Sequence, residues 1–138
     1  MSAAELGGYT ATTRGVLIRV RTLYLEDESE PDDNTYVWAY EVRIENGGTE
    51  AVQLLRRTWR ITDARGRVQV VEGEGVVGEQ PSLEPGEAFE YTSGTHLPTP
   101  SGFMGGEYHM VVTSSGEAFD ATVPSFSLDS PDQRPQLH

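Results

Sequence analysis

Apolar and polar residues alternate along most of this chain with a period of two, the spacing that puts successive side chains on opposite faces of a β-strand. Val16 to Tyr24 sets Val16, Ile18, Val20, Thr22 and Tyr24 against Leu17, Arg19, Arg21 and Leu23. Tyr36 to Asn46 alternates more cleanly, with Tyr36, Trp38, Tyr40, Val42 and Ile44 on the face expected to meet the core. Asn46-Gly47-Gly48 reads as a turn, and Gln53 to Asp63 as a third strand carrying Leu55, Arg57, Trp59 and Ile61 on one face. Ala64-Arg65-Gly66 then turns a hairpin into Val68 to Val71. Ala88 to His96, Glu107 to Thr113 and Glu117 to Val123 read as further strands, the last two joined by Ser114-Ser115-Gly116, and Phe126 with Leu128 adds a short final one. About seven short strands with frequent turn signals and no amphipathic helix pattern predict an all-β antiparallel sandwich, with a closed barrel as the alternative. Residues 1–15 and 129–138 lack periodicity and are expected as disordered tails around one domain spanning 16–128.

The run from Gly73 to Gly86 holds four glycines and two prolines between strand-like segments, and its first six residues match GxGxxG. In a dinucleotide site that pattern opens a helix whose N-terminal amides hold a pyrophosphate. No helix follows here: Pro81 and Pro85 lack amide protons, and Phe89 to Thr95 alternates like a strand. The run is read as a long, tightly turned loop. Two uses remain open for it, a purely structural connection or a loop that points several amides at one anion.

Composition narrows the chemistry. The chain has 138 residues and a net charge of −12, which argues against nonspecific nucleic-acid binding. It contains neither cysteine nor lysine, so thiol nucleophiles, disulfides, thiolate metal sites, Schiff bases and the P-loop lysine are all excluded. The first residues show no signal-peptide pattern and no run of about 18 apolar residues occurs, so a cytoplasmic protein without membrane insertion is expected. Glu26, Asp27, Glu28, Glu30, Asp32 and Asp33 form an acidic loop that lacks EF-hand spacing and reads as a solvated connection. His96, His109 and His138 form no metal-ligand pair, and Ser93 near His96 lacks the GxSxG elbow. Glu79 and Glu84 lie in a loop with no sign of the burial that tunes a catalytic carboxyl. No catalytic constellation, resident metal or cofactor is expected.

The string Arg56 to Met110 carries a resemblance. Arg57-x-Trp59, the GEGVVGEQP of Gly73 to Pro81, the LEPG of Leu83 to Gly86 and the FEYTSGTHLPTPSGFMGGEY of Phe89 to Tyr108 are similar to the ApaG (CorD) family, over about Val16 to Leu128. That resemblance implies an immunoglobulin/fibronectin type III-like fold, in agreement with the alternation. It also implies an association with cobalt resistance and magnesium efflux. Similar domains are fused to eukaryotic F-box proteins and to a polymerase-delta-interacting protein, which suggests a noncatalytic module acting through a protein partner. Direct binding of a divalent cation, or of a phosphate or pyrophosphate ligand, is the alternative, and self-association as a homodimer stays open.

The candidate binding residues follow from two features. Arg56, Arg57 and Arg60 lie on a hairpin that leads into Gly73, Gly75, Gly78, Glu79 and Gln80, so basic side chains and loop amides are expected to meet. Phe103 and Met104, in what reads as a glycine-rich turn, are either an exposed binding tip or a plug over the open end of the sandwich. Arg57 shares the phase of Leu55, Trp59 and Ile61, which sends a guanidinium inward, where it needs a partner. The pattern therefore predicts that Arg57→Ala destabilises the fold in thermal melts, whereas Arg56→Glu with Arg60→Glu leaves it folded and weakens binding to an acidic or phosphorylated ligand.

Overall fold

A computed structural model describes residues 8–131. Nine strands lie among the described residues: β1 (Tyr9–Thr13), β2 (Val16–Tyr24), β3 (Tyr36–Asn46), β4 (Val52–Asp63), β5 (Val68–Glu74), β6 (Ser82–Leu83), β7 (Ala88–Leu97), β8 (Ser101–Val112) and β9 (Ala118–Asp129). They form two antiparallel sheets, ordered β1-β2-β3-β7 and β5-β4-β8-β9, with β6 added to β4. The sheets pack face to face as the sandwich expected from the alternation, of the immunoglobulin/fibronectin type III kind that the family resemblance implies. The acidic loop becomes two single 3-10 turns, Glu26–Glu28 and Pro31–Asp33, with no buried residue in either.

The core is built from the faces that the period-two pattern selects. Val16, Ile18 and Val20 of β2 and Tyr36, Trp38, Tyr40, Val42 and Ile44 of β3 are buried, as are Leu54, Trp59 and Ile61 of β4. Both tryptophans lie in this core. Trp59 stands edge-on to Tyr40 at 5.5 Å and to Tyr108 and Phe126 at 6.0 Å. Such pairs contribute about 0.5–1.5 kcal/mol each beyond the area they bury. Trp38 donates its indole N–H to the Asp129 carbonyl at 2.8 Å, which fastens the end of β9 under β3.

Three boundaries differ from the sequence pattern. Residues 9–13 are not a tail: β1 pairs with β2 from Tyr9↔Val20 to Thr13↔Val16, although its YTATT sequence is too polar to register as a half-buried strand. At the other end Asp129 belongs to β9 and Ser130 is buried. The expected tail segments 1–7 and 132–138 lie outside the described residues. Finally, Gly102 to Gly106 is no turn but the first half of β8, which runs unbroken from Ser101 to Val112. Glycine is required there by close approach, since a Cβ on Gly106 would sit 1.9 Å from the Thr58 carbonyl oxygen of β4.

The sandwich is closed on one side and open on the other. On the closed side β1 and β2 pack against β9. Thr122 donates its amide to Thr13 Oγ1 at 3.1 Å, and the Tyr9 and Phe126 rings meet at 6.3 Å. On the open side β7 ends one sheet and β5 ends the other, each with a free edge.

The β4–β5 turn that starts this open side is held by Asp63. Its buried carboxylate accepts the Arg65 and Arg67 amides at 2.8 and 3.1 Å and the Arg67 Nε at 3.0 Å. Burial by itself would raise the Asp63 pKa, but the two amides and the guanidinium prevail and hold it below the ordinary carboxylate value. A depressed folded pKa adds stability above the unfolded value of about 3.9 and loses it as pH falls through the folded value. Asp63→Asn should therefore lower the melting temperature at pH 7 and flatten its decline below about pH 4, measured by thermal melts across pH.

Candidate functional site

Between β5 and β7 the sheets part to leave a cleft of about 460 Å³. Tyr40, Tyr91, Ser93 and Thr95 line it from one sheet, Arg57, Trp59 and Val71 from the other, and Val76, Val77 and Gly78 at its mouth. Arg57 faces inward, as its phase in β4 requires. Its Nη1 donates to the Glu74 and Gly75 carbonyls at 3.2 and 2.7 Å. No carboxylate pairs with it among the described residues.

The GxGxxG residues make this arrangement fit. Gly73 lies within β5, and a Cβ there would come 2.9 Å from Arg57 Nη1, so any larger residue would push the guanidinium from this position. Gly75 follows with φ of +65°, and a Cβ there would meet the Glu79 carbonyl oxygen at 2.3 Å. Val76 and Glu79 then close a two-residue hairpin turn by reciprocal backbone bonds of 2.8 and 2.9 Å. The Gly75 amide donates to Leu55 at 2.9 Å. The amides of Gly75, Val76 and Glu79 are thus committed inside the fold, which removes them as donors to an anion and leaves Arg57 as the feature that attracts one. Gln80 pins the loop, donating from Nε2 to the Leu55 carbonyl at 3.0 Å.

Val77 carries strain. Its φ is +44°, a left-handed conformation that costs a β-branched residue about 1–2 kcal/mol, and its side chain is 54% exposed beside the cleft mouth.

The tyrosines supply hydroxyl donors. Tyr91 and Tyr108 share a hydrogen bond of 2.5 Å, and Tyr40 stands opposite Ser93 in the β3–β7 ladder. Burial raises the pKa of all three tyrosines above the phenol's ordinary value, while Arg57 draws each back in part. They remain protonated at neutral pH. The buried indole N–H of Trp59 has no acceptor among the described residues.

The remaining candidates are dispersed. Arg56 and Arg60 occupy the outer face of β4, opposite to Arg57, so the expected convergence of three arginines does not form. Arg60 is already in a two-pronged pair with Glu107, both contacts at 2.9 Å. Phe103 and Met104 are split by the strand they belong to: Met104 is buried at the cleft wall and Phe103 is 52% exposed on the outer face. Glu79 is exposed on the hairpin turn. Among the described residues no group of three or more His, Asp and Glu side chains converges as metal ligands would, and no helix is long and apolar enough to cross a membrane.

One array has no sequence signal. On the outer face of the second sheet, His109 Nε2 lies 2.7 Å from Thr58 Oγ1 and Nδ1 lies 2.7 Å from Asp120. Hydroxyl, imidazole and carboxylate stand in the order of a nucleophilic triad. The hydroxyl belongs to a buried residue, however, and lies 3.3 Å from Glu72, while the surrounding backbone is engaged in the β4–β8 and β8–β9 ladders. Those residues are brought together by register from 51 and 11 positions apart.

The arrangement matches known proteins. A family model described as the ApaG domain matches residues 26–112. The chain belongs to the ApaG domain family. It is 63% identical over 126 residues to Protein ApaG of Rhodospirillum centenum, covering 91% of this chain and 96% of that one. It is 60% identical over 130 residues to Protein ApaG of Paramagnetospirillum magneticum, covering 94% and 99%. Among solved structures, an ApaA protein from Bordetella pertussis superposes with a TM-score of 0.81 at 47% identity, covering 86% of this chain and 95% of that one. The domain match takes in both Arg57 and the glycine run that accommodates it.

Two outcomes follow for this ApaG-domain site. Arg57→Ala should lower stability by about 2 kcal/mol, because the Glu74 and Gly75 carbonyls lose a charged donor. Val77→Asn, which suits a hairpin turn with positive φ, should raise it by about 1 kcal/mol. Denaturant unfolding checks both, and destabilisation by Val77→Asn would refute the strain.

Proposed function

We propose that this chain is a noncatalytic binding module whose protein partner engages the open side of the sandwich, across the cleft between β5 and β7. The observation that carries this reading is the unfilled cleft itself, flanked by two free strand edges. An edge strand offers unpaired backbone groups to an incoming segment, and pockets beside it select side chains. On β5, Val68 and Val70 are each 58% exposed, and strained Val77 stands at the cleft mouth. Strain of this kind gathers at ligand-contacting positions.

The cobalt-resistance and magnesium-efflux association implied by the family resemblance is then indirect, exerted through the partner. The acidic turns Glu26–Glu28 and Pro31–Asp33 contribute no residue to the cleft lining and keep a solvating role in this reading.

The test is capture of partners by the tagged chain from cells that contain it, comparing the parent with Val70→Lys/Val77→Asp and with Leu23→Lys on the outer face of β2. Surface changes of this sort shift stability by about 0.5 kcal/mol or less, apart from the strain at Val77. The double variant should lose a captured protein at least tenfold while Leu23→Lys keeps it. Equal capture by all three would overturn the reading. Loss of self-association in the double variant, seen by sedimentation, would name a second copy as the occupant.

A further inference from the structure

The cleft holds a cation whose hydrogen-bonding capacity is only partly used. A guanidinium offers five N–H groups, and Arg57 bonds two backbone carbonyls through Nη1 alone, which leaves Nη2 and Nε without partners among the described residues. The Tyr91 and Tyr108 hydroxyls share one bond between two protons, so one proton of that pair is surplus. Trp59 lines the cleft with its ring, while its indole N–H is buried out of reach of solvent and has no acceptor among the described residues.

Against these stands one acidic side chain of the lining, Glu74. It is exposed on β5, and its backbone carbonyl rather than its carboxylate meets Arg57. A buried donor left unsatisfied costs about 1–3 kcal/mol. A free guanidinium edge beside a surplus hydroxyl proton is complementary to a group that accepts.

We propose that the cleft is an oxyanion receptor, in which the Arg57 guanidinium takes a carboxylate or phosphate group presented by the bound partner. This rests on the binding-module reading and names the chemistry of its anchor. Arginine is suited to the task because its planar fork meets two oxygens of either group at once. Ser93 and Thr95 on β7 face it from the opposite wall and complete a polar rim. The Tyr40, Tyr91 and Trp59 rings flank the guanidinium and lower the local dielectric, which strengthens the pairing.

The two tryptophans provide an internal control. Trp38 is outside the cleft lining and its Nε1 is already bonded to the Asp129 carbonyl, whereas Trp59 forms part of the cleft wall. In a proton–nitrogen correlation spectrum of the labelled full chain, inorganic phosphate, O-phosphoserine and N-acetylglutamate are titrated separately against sodium chloride at matched ionic strength. The expected result is a saturable shift of the Trp59 indole resonance in at least one arm, with the Trp38 indole stationary. Saturation by the phosphate compounds alone identifies a phosphoryl anchor, and saturation by N-acetylglutamate alone a carboxylate. Arg57→Gln should weaken the response at least tenfold. Should that variant fail to fold, Ser93→Asp keeps Arg57 and carries a carboxylate of its own into the cleft, and it should abolish the response. No anion-specific shift of Trp59, or an undiminished shift in either folded variant, would overturn the receptor. Partner capture that still depends on Val70 and Val77 would then leave the module reading standing, so the two failures are separable.

Discussion

A guanidinium on the inward face of a β-sandwich is the constraint around which the open side of this fold is organised. Arg57 shares the core-facing phase of Trp59 and Ile61, and an unsatisfied charge there would cost several kcal/mol. The fold satisfies it with backbone rather than with a carboxylate. The carbonyls of Glu74 and Gly75 converge on Nη1, and for them to do so the end of β5 must lie directly over the side chain. That proximity accounts for glycine at 73, where any Cβ would displace the guanidinium, and for the sharp departure of the chain at Gly75 into the Val76–Glu79 turn. A motif that in other folds wraps a pyrophosphate here wraps an arginine.

Neutralisation by carbonyl dipoles has a different consequence from neutralisation by a carboxylate. Two carbonyls fix the guanidinium in place without cancelling its charge, so the positive potential persists in the cleft. In a protein of net charge −12 this is a local inversion of the prevailing field. Several arginines on the surface are neutralised by carboxylates instead. Arg60 is closed off by Glu107, Arg43 by Glu45 and Glu90, and Arg67 by Asp63. The local arrangement of partners, not the number of arginines in a segment, decides which cation is available.

Period-two alternation made the sandwich and most of its core legible from sequence, including the inward turn of Arg57 and the burial of both tryptophans. Where composition and backbone geometry disagree, it misleads. Glycines at 102, 105 and 106 signal a turn locally, but tertiary packing uses them to bring β8 close to β4 and β9. Tyr9–Thr13 is too polar to signal a strand, yet it completes the sheet because β2 offers it an edge and Phe126 a surface for Tyr9. The cleft could not be read at all. It depends on which strands end each sheet, and Arg57, Tyr91 and Trp59 become its walls only once β7 has crossed to pair with β3. The Thr58–His109–Asp120 array is hidden for the same reason, as the product of a register between strands far apart in the chain.

The two sides of the sandwich divide stability from recognition. On the closed side, β1 and β2 seal against β9 and the Trp38 indole has its acceptor. On the open side, the same residue type is left with an orphaned donor, a valine is held at positive φ, and a charge is only half satisfied. Each departure has a cost of its own, and all three border one cleft of about 460 Å³. Arg14 and Asn34 at positive φ and the buried Ser130 hydroxyl are departures of the same kind elsewhere in the fold, but only at the cleft do they coincide with a free guanidinium edge, the combination that preorganisation for a ligand produces. Trp59 belongs to both sides of this division: three edge-on aromatic contacts hold its ring in the core, and that rigidity fixes the wall against which Arg57 presents its free edge.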